Sequence, residues 1–316
     1  MQKKDFLGVY HRDSIWKLDP NGRSTDFLPS NMLTQNCRFN CTYCYRMRHD
    51  LADFPKIYDD VYRFVDLVKE TISNKEKSRA FFKSLNKKDL EQYRDKKHGP
   101  YITFDIGCDS DVTLDNQITE HSNYPGHIID IINQVAEIPE AMLSFATKST
   151  ELDTFVRHVK NPKMCRIRLS LMPEWQRQIL ELNTAKIIDR IEAINKLVNA
   201  GFEVHINLSP IVITKSFVKD YGDLLSLLNE KLNEKAKAQL AYEIIFLTHS
   251  EKLFDFVQQF APKAHQMMVN NQFPLEPKPN KENVLSYSPE DKKTYKQIME
   301  TLIKKHTPYA RIRYMF

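Results

Sequence analysis

The sequence predicts an α/β protein, specifically a partial (β/α)6 barrel of the TIM type. Three observations indicate this class. Strand-like apolar runs alternate with helix-like segments along most of the chain. The chain has 316 residues, of which 41% are hydrophobic, and this suits one large domain of the kind. A cysteine-rich loop follows the first predicted strand, at the strand end where parallel barrels carry their sites.

Six strand and helix units can be assigned in order. The first strand is predicted at residues 32–35, just before the cysteine loop, and its helix at 59–72. The next five strands are predicted at 101–106, 141–147, 165–172, 202–213 and 239–247, and their helices at 127–138, 152–159, 184–200, 217–232 and 252–260. Gly201 is the expected C′ residue of the long helix. Such units join through right-handed crossovers into a parallel sheet.

The remaining segments predict the domain organisation. Residues 1–30 are expected to be an N-terminal extension, and residues 31–262 the partial barrel. A basic helical segment at about 74–98 interrupts this barrel as an insertion. Residues 263–316 are expected to form a C-terminal extension that packs on or beside the barrel.

Three of the five cysteines, Cys37, Cys41 and Cys44, fall within eight residues in the order Cys-x3-Cys-x2-Cys. One hypothesis is a structural zinc site completed by His49, although zinc ligands usually come as two separated pairs. A second is a redox dithiol of Cys41 and Cys44, which leaves Cys37 without a role. The third is a four-iron, four-sulfur cluster. Such clusters normally take four protein ligands, so three ligands leave one iron open for chemistry.

Polar residues also follow the later strands at their carboxyl ends. They are residues 105–111 after the second strand, Thr147 and Lys148 after the third, Arg166, Arg168 and Ser170 on the fourth, and Ser209 on the fifth. Each residue alone is typical of ordinary strand-end polarity. Because carboxyl ends of parallel strands meet at one edge, the set predicts a binding ring for a charged, zwitterionic ligand.

The cysteine motif followed by an aromatic residue resembles the signature of radical S-adenosylmethionine (SAM) enzymes, and the chain as a whole resembles the spore photoproduct lyase family. The resemblance runs from about Asn36 to the end of the chain. It rests on Tyr43-Cys44-Tyr45, the stretch Phe104 to Asp111, Ala146-Thr147-Lys148, the stretch Arg166 to Ser170, Ala200-Gly201-Phe202, Ser209-Pro210-Ile211 and Ile312-Arg313-Tyr314. It implies the partial barrel of radical SAM enzymes.

The resemblance also implies an activity: a lyase that cleaves SAM at a [4Fe-4S] cluster to a 5′-deoxyadenosyl radical and repairs a thymine dimer lesion in DNA. It implies that Cys37, Cys41 and Cys44 hold the cluster. It further implies SAM contacts from Tyr45, Ser110, Lys148, Ser170 and Ser209. Cys108 would then be the hydrogen-atom donor, with Tyr43 and Tyr45 as a relay.

The two cysteines outside the motif receive different interpretations. Free cysteines most often serve as small buried apolar residues, and Cys165, which opens a strand after Met164, is assigned to that role. Cys108 lies among Asp105, Asp109, Ser110 and Asp111, which disfavours the same interpretation. An S–H bond is weaker than most C–H bonds, so a thiol beside a substrate radical can deliver a hydrogen atom.

The chain departs from the family in the stretch 269–287, where the family has a basic hairpin that wedges into the duplex. Here the stretch contains Pro274, Pro277 and Pro279, and prolines obstruct a hydrogen-bonded ladder. Two alternatives to the lesion lyase therefore stay open. One is a radical SAM enzyme that modifies another nucleobase, nucleotide or small metabolite. The other is a non-catalytic metal-cluster protein that binds nucleic acid.

Charge and composition limit which partners can be expected. The net charge of +5 would attract polyanions only weakly. Basic residues are clustered, however: residues 75–98 carry nine Lys or Arg against four acids, and residues 301–316 carry four Lys or Arg and no acid. Either cluster could meet phosphates or be a solvated surface. The expected partners are DNA with a thymine-derived lesion and a reductant such as a flavodoxin or ferredoxin.

Localisation follows from the termini, the hydropathy and the cysteines. There is no run of eighteen apolar residues and no secretory h-region. An odd number of cysteines, three of them clustered, suits a reducing compartment. We therefore expect a cytoplasmic monomer.

Overall fold

The computed structural model describes residues 27–29, 34–35, 37–44, 56–57, 63–73, 102–107, 110–113, 127–139, 141–269, 272–278 and 282–316. Several predictions therefore lie outside the described residues: the N-terminal extension except residues 27–29, the basic insertion at about 74–98, His49 of the zinc hypothesis, the proposed hydrogen donor Cys108 and the proposed SAM contact Tyr45. None of the helices described is long and apolar enough to cross a membrane.

The strands confirm the predicted α/β class. They are β1 Phe27–Pro29, β2 Thr34–Gln35, β3 Lys56–Ile57, β4 Ile102–Asp105, β5 Ala141–Thr147, β6 Cys165–Ser170, β7 Glu203–Ile211, β8 Ala241–Phe246, β9 Thr248–Ser250, β10 Leu275–Pro277, β11 Val284–Tyr287 and β12 Arg311–Met315. Seven of them form the main sheet in the order β1-β4-β5-β6-β7-β8-β12. The pairs β1–β4, β4–β5, β7–β8 and β8–β12 are parallel.

Helices alternate with these strands as the sequence predicts. They are Arg63–Ser73, His127–Val135, Asp153–His158, Glu174–Leu180, Ile187–Asn199, Phe217–Lys231, Glu234–Gln239, Glu251–Phe260, Pro262–Met268 and Pro289–His306. Strand β5 shows why the strands were recognisable, since all but one of its seven residues are buried. A parallel sheet that is covered on both faces requires such a continuous apolar run.

The chain divides into two compact units. The first comprises the described residues of Met1–Cys37, Pro55–Arg168 and Lys196–Val204, and the second those of Arg38–Phe54, Leu169–Asn195 and His205–Phe316. In the first unit, Phe145 packs on Phe155 with ring centroids 5.4 Å apart, and both are fully buried. In the second, Phe217 packs on Tyr221 at 4.6 Å. Each unit therefore has aromatic residues in a core of its own.

The prediction of the first barrel strand at residues 32–35 was wrong. Thr34–Gln35 pairs antiparallel with Lys56–Ile57 in a separate two-stranded ladder. The first strand of the main sheet is Phe27–Pro29, in which Phe27 lies opposite Thr103. Apolar Phe27 and Leu28 suit a covered parallel sheet better than polar Thr34 and Gln35 do.

A hairpin forms where the prolines of 269–287 were expected to prevent one, so that expectation was wrong. Strand β10 pairs antiparallel with β11, and β11 pairs with β9. Strand β10 lies at the edge of this three-stranded sheet. Because Pro277 has a neighbouring strand on one side only among the described residues, its missing N–H leaves the ladder with β11 intact. After it, Lys278 N donates to Val284 O over 2.7 Å.

Gly201 ends the helix Ile187–Asn199 as the sequence predicts. Its φ is +95°, in the left-handed region. Gly201 N donates to Val198 O at 3.0 Å and Phe202 N to Leu197 O at 3.1 Å, which satisfies the last carbonyl groups of the helix. A residue with a Cβ would be strained at this φ, so glycine is required for the chain to turn into β7.

Candidate active site

The cysteine loop is the first part of the candidate site. Cys41 is buried, and Cys37 and Cys44 are half-buried. All three thiols are free of disulfides. Cys44 N donates to Cys41 O at 2.9 Å, and Asn40 has a φ of 45° that turns the backbone just before Cys41. A tight turn with partly accessible thiols is what a cluster held from one loop needs.

The donor set fits an iron–sulfur cluster by its chemistry. Three thiols on one short loop supply soft sulfur ligands, which suit iron–sulfur centres. Within the residues described, which include Cys37, Cys41 and Cys44, no group of three or more histidine, cysteine, aspartate or glutamate side chains is gathered as a metal-binding set. The fit therefore rests on the type and spacing of the three thiols. His49, which the zinc hypothesis required, lies outside those residues.

The helix Glu174–Leu180 and the residue after it anchor this loop in the second unit. Thr42 donates to Leu180 O from its backbone N at 3.0 Å and from its hydroxyl at 3.3 Å. The hydroxyl of Tyr43 donates to the Glu181 carboxylate. Two adjacent loop residues are therefore tied to two adjacent residues at the helix end, which fixes the loop between Cys41 and Cys44.

Glu181 is in turn held by Arg190, and both side chains are almost completely buried, at 1% and 0% exposed. Arg190 Nη2 lies 2.7 Å from Glu181 Oε2. Arg190 Nη1 donates to Ser170 O at 2.8 Å. One buried arginine therefore links the acceptor of the Tyr43 hydroxyl to the carboxyl end of β6, where a SAM contact was predicted.

The environment of Tyr43 keeps its phenol protonated. Burial raises the pKa of Tyr43 well above its usual value, and the nearby Cys41 thiol and Glu181 carboxylate act in the same direction. The hydroxyl therefore remains a hydrogen donor at neutral pH. Its acceptor is the buried carboxylate of Glu181.

The first unit holds the segment on either side of Cys108. Before it, Asp105 forms a buried ion pair with Arg168 at 2.7 Å and accepts from Gly107 N at 3.2 Å. A Cβ on Gly107 would lie 3.2 Å from Phe145 Cβ. The close approach of this backbone to β5 therefore favours glycine.

Asp111 fixes the segment after Cys108. Its carboxylate accepts from the Thr113 hydroxyl at 2.6 Å and from the Thr147 hydroxyl at 2.8 and 2.9 Å. It also accepts from Lys148 N at 3.0 Å. Buried carboxylates are stable only when their oxygens are satisfied in this way. Asp111 thereby ties the loop after β4 to the end of β5.

The predicted SAM contacts are described in part. In the first unit, Ser110 and Lys148 are half-buried. Ser110 directly precedes Asp111, and the backbone N of Lys148 donates to the Asp111 carboxylate. In the second unit, Ser170 is buried, and Ser209 is half-buried and precedes Pro210 in a cis peptide.

Two arginines were expected in the ligand ring, and this expectation was wrong. Arg166 is buried and paired with Glu203 at 2.8 Å, and Arg168 is buried and paired with Asp105. A buried charge requires such a partner, so these side chains serve ion pairs inside the first unit. Cys165 is fully buried, and its apolar role is confirmed; burial raises the pKa of its thiol, with a contribution from Glu203.

Glu181, Arg190 and the anchoring role of Asp111 were not predicted from the sequence. One signal for Arg190 was present. It lies within the apolar stripe of its helix, beside the buried residues Ile187, Ile191 and Ile194. A charged residue at a core-facing helical position implies a buried partner. No local pattern marked Glu181 as that partner or linked it to Tyr43.

Comparison with known proteins identifies relatives. The family model "Spore photoproduct lyase" matches residues 16–316. No curated protein matches the chain. A cysteine-to-serine mutant of spore photoproduct lyase is a similar solved structure, with 18% identity, a TM-score of 0.71, and coverage of 91% of this chain and 76% of that one.

Two further structures contain ligands. A double mutant of spore photoproduct lyase with bound AdoMet and dinucleoside spore photoproduct has 18% identity, a TM-score of 0.69 and coverage of 91% and 76%. Spore photoproduct lyase complexed with dinucleoside spore photoproduct has 18% identity, a TM-score of 0.70 and coverage of 90% and 75%. At these identities the likeness concerns the fold, and it confirms the predicted partial barrel.

Proposed function

The chain belongs to the spore photoproduct lyase family, and from this premise we propose that it is a radical SAM lyase that repairs a thymine dimer lesion in DNA. The observation that carries the proposal is the cysteine loop. Three thiols that form no disulfide lie on one short loop, and Thr42 and Tyr43 between the second and the third are anchored to Leu180 and Glu181. A loop that is held this firmly can present its thiols in a fixed geometry.

Cys37, Cys41 and Cys44 would hold the [4Fe-4S] cluster. When bound, the cluster and SAM supply the electron and the 5′-deoxyadenosyl radical that start the reaction. The chain's own part is to fix these reactants and to exclude side reactions. The anchoring of Thr42 and Tyr43 supports this role, because it restrains the loop between two of the three thiols.

Tyr45, Ser110, Lys148, Ser170 and Ser209 would contact SAM. Support for Ser110 and Lys148 comes from Asp111, which fixes the backbone around them. Support for Ser170 comes from Arg190, which binds its carbonyl group and so fixes the end of β6. Restraining the backbone through buried partners keeps the contacts in place without using the contact residues themselves.

Cys108 would return the hydrogen atom after the lesion has opened. The S–H bond breaks homolytically, the hydrogen atom passes to the substrate carbon radical, and a thiyl radical remains on Cys108. Tyr43 and Tyr45 would then pass a phenolic hydrogen atom to that thiyl radical, which restores the Cys108 thiol and leaves a phenoxyl radical on the tyrosine. Asp105 and Asp111 support the position of Cys108, because they anchor the chain on both sides of it.

DNA that carries the lesion is the proposed substrate, and a small redox protein such as a flavodoxin or ferredoxin the proposed electron donor. We also propose a monomer in the cytoplasm. Lys304 and Lys305 in the basic tail support DNA as the partner, because both are exposed and residues 301–316 contain no acid. Arg313 of the same tail is buried in an ion pair with Glu243.

The test is anaerobic reconstitution with iron and sulfide, followed by product chromatography with SAM and DNA that carries the lesion. We expect a brown protein with about four irons per chain, an electron paramagnetic resonance spectrum that changes with SAM, and restored thymines. C37A, C41A and C44A should each lose the cluster. C165A is the matched control, because Cys165 is a buried cysteine outside the motif, and it should keep its iron. One zinc and no iron, or SAM cleavage without lesion repair, would refute the proposal.

A further inference from the structure

A large surface groove in the second unit is not used by the proposed reaction. Its volume is about 1150 Å³. Its lining comes from five separate segments: Trp175 and Ile179 after β6, Thr214 and Lys215 after β7, Lys263, Gln266 and Met267 on the helix Pro262–Met268, Gln272 and Phe273 before β10, and Tyr295 on the helix Pro289–His306. We call this surface the Trp175 groove.

The lining combines aromatic rings with positive charge. Trp175, Phe273 and Tyr295 supply three rings, and Lys215 and Lys263 supply two exposed ammonium groups. Among the described residues that line the groove, none carries a carboxylate. A groove of this composition is complementary to an anionic ligand that also carries flat rings.

The rings are already arranged to receive such a ligand. Phe273 and Tyr295 meet edge to face with centroids 5.4 Å apart, and Tyr295 also meets Phe217 at 4.7 Å. Trp175 is 38% exposed, which is unusual for so large a side chain. An exposed tryptophan beside two supported rings provides stacking surfaces that need little reordering on binding.

We propose that the Trp175 groove binds the DNA strand that flanks the lesion. The inference rests on the proposed function, since it assumes that DNA is the substrate. Bases stack on aromatic side chains whatever their sequence, and lysines track the phosphates. The amide groups of Gln266 and Gln272 can donate to or accept from base edges. The groove is larger than sites for single small molecules, so it has room for more than one nucleotide.

The first experiment measures binding without any turnover. Trp16 and Trp175 are the two tryptophans of the sequence, so W16F leaves Trp175 as the single tryptophan, which can be excited selectively over the tyrosines. We expect a short lesion-free oligothymidylate to quench its fluorescence. Adding K215E and K263E should weaken binding at least tenfold at low salt. It should also lower the log–log salt slope by about 1.4, at roughly 0.7 per phosphate for single strands.

The matched control is K160E with K235E. Both lysines are exposed, Lys160 lies before β6 and Lys235 before β8, and neither is among the described residues that line the groove. The control changes the net charge by the same amount and should retain most of the affinity. An equal loss of affinity in the control would show that only total charge matters, and would overturn the proposal. Quenching by a hydrophobic peptide but not by the oligonucleotide would also overturn it.

The second experiment separates this proposal from the proposed function. The reconstituted enzyme is given the lesion either as a dinucleoside, which has no flanking strand, or within an oligonucleotide. W175A should slow repair in the oligonucleotide at limiting substrate by about fivefold or more, the loss expected for one stacked base. It should leave repair of the dinucleoside unchanged, and W175F should restore most of the rate.

The outcomes distinguish the two failures. If the wild-type enzyme repairs neither substrate, the proposed function is wrong. If the wild-type enzyme repairs both substrates, and if W175A and K215E/K263E repair both at the wild-type rate, the groove does not bind the strand. If W175A slows both substrates equally, Trp175 acts on the reaction itself or on folding, and the groove proposal is again overturned.

Discussion

Arg190 and Arg313 are both buried arginines of the second unit, and each is paired with a buried glutamate. Arg190 and Glu181 bind the Tyr43 hydroxyl and the Ser170 carbonyl group. Arg313 and Glu243 instead bind other side chains of the sheet: Tyr314 Oη donates to Glu243 at 2.6 Å, and His205 Nδ1 lies 3.2 Å from the same carboxylate. The same chemistry therefore serves two positions, one beneath the cysteine loop and one at the C-terminal strand.

The partners explain what each pair is for. Glu243 lies on β8, His205 on β7 and Arg313 on β12, so the second pair joins three neighbouring strands. The first pair joins segments that carry predicted site residues. Buried ion pairs contribute little net stability on average, but they specify one arrangement of the elements that they connect. We infer that the Arg313 pair specifies how the sheet strands are arranged, and that the Arg190 pair specifies how the segments of the candidate site are arranged.

The largest expected effect comes from breaking the pair at the C-terminal strand. R313A leaves Glu243 buried without its cation, and loss of one partner of a buried pair costs about 3–5 kcal/mol. The free energy of unfolding, measured by urea denaturation of the apoprotein, should fall by that amount. K304A is the control, because Lys304 is exposed on the helix Pro289–His306, and it should be neutral. An unchanged stability in R313A would mean that Glu243 does not depend on this partner.

Replacing both residues of an ion pair tests the roles of the two pairs more directly than removing one residue. E181L/R190M and E243L/R313M put apolar side chains in place of both charges, which usually costs less than removing one. Both variants should therefore be more stable than R313A. Only E181L/R190M should lose iron on reconstitution or fail to change its paramagnetic spectrum with SAM. Equal loss in E243L/R313M would contradict a local role for Arg190.

The same contrast explains how far the sequence could predict this molecule. Strands such as β5 were predictable because most residues of a covered parallel strand are apolar, which is a local property. Strand β12 was not assigned, since Arg311 and Arg313 interrupt its pattern. Arg313 becomes acceptable in a strand through Glu243, which lies 70 residues away. A local pattern cannot predict such a partner.

In the candidate site, too, local features could be predicted from the sequence and long-range contacts could not. The cysteine motif was found because its spacing is local, and the family resemblance supplied the remaining residues. The bond from Tyr43 to Glu181 spans 138 positions and could not be found in this way. Arg166 and Arg168 were misinterpreted for the same reason, because their partners Glu203 and Asp105 are distant in sequence. Charge and position along a strand do not show whether an arginine meets a ligand or a carboxylate.

The smallest expected effects come from two matched tyrosines, Tyr43 and Tyr314. Each hydroxyl donates to one of the two buried glutamates. Y43F and Y314F therefore remove the same kind of bond, and each should lower the free energy of unfolding by about 1.5–3 kcal/mol, the range for hydrogen bonds to charged groups. Urea denaturation of the two apoproteins measures this loss.

The two variants should differ in turnover and not in iron content. Y43F should retain its cluster but repair the lesion more slowly, because it lacks the phenolic hydrogen of the proposed relay. Y314F should turn over at the wild-type rate, since Tyr314 is bound to the pair that specifies the sheet. If Y43F repaired the lesion as fast as Y314F, Tyr43 would be only an anchor of the cysteine loop. The Arg190 pair would then be structural in the same sense as the Arg313 pair, and the contrast between the two regions would fail.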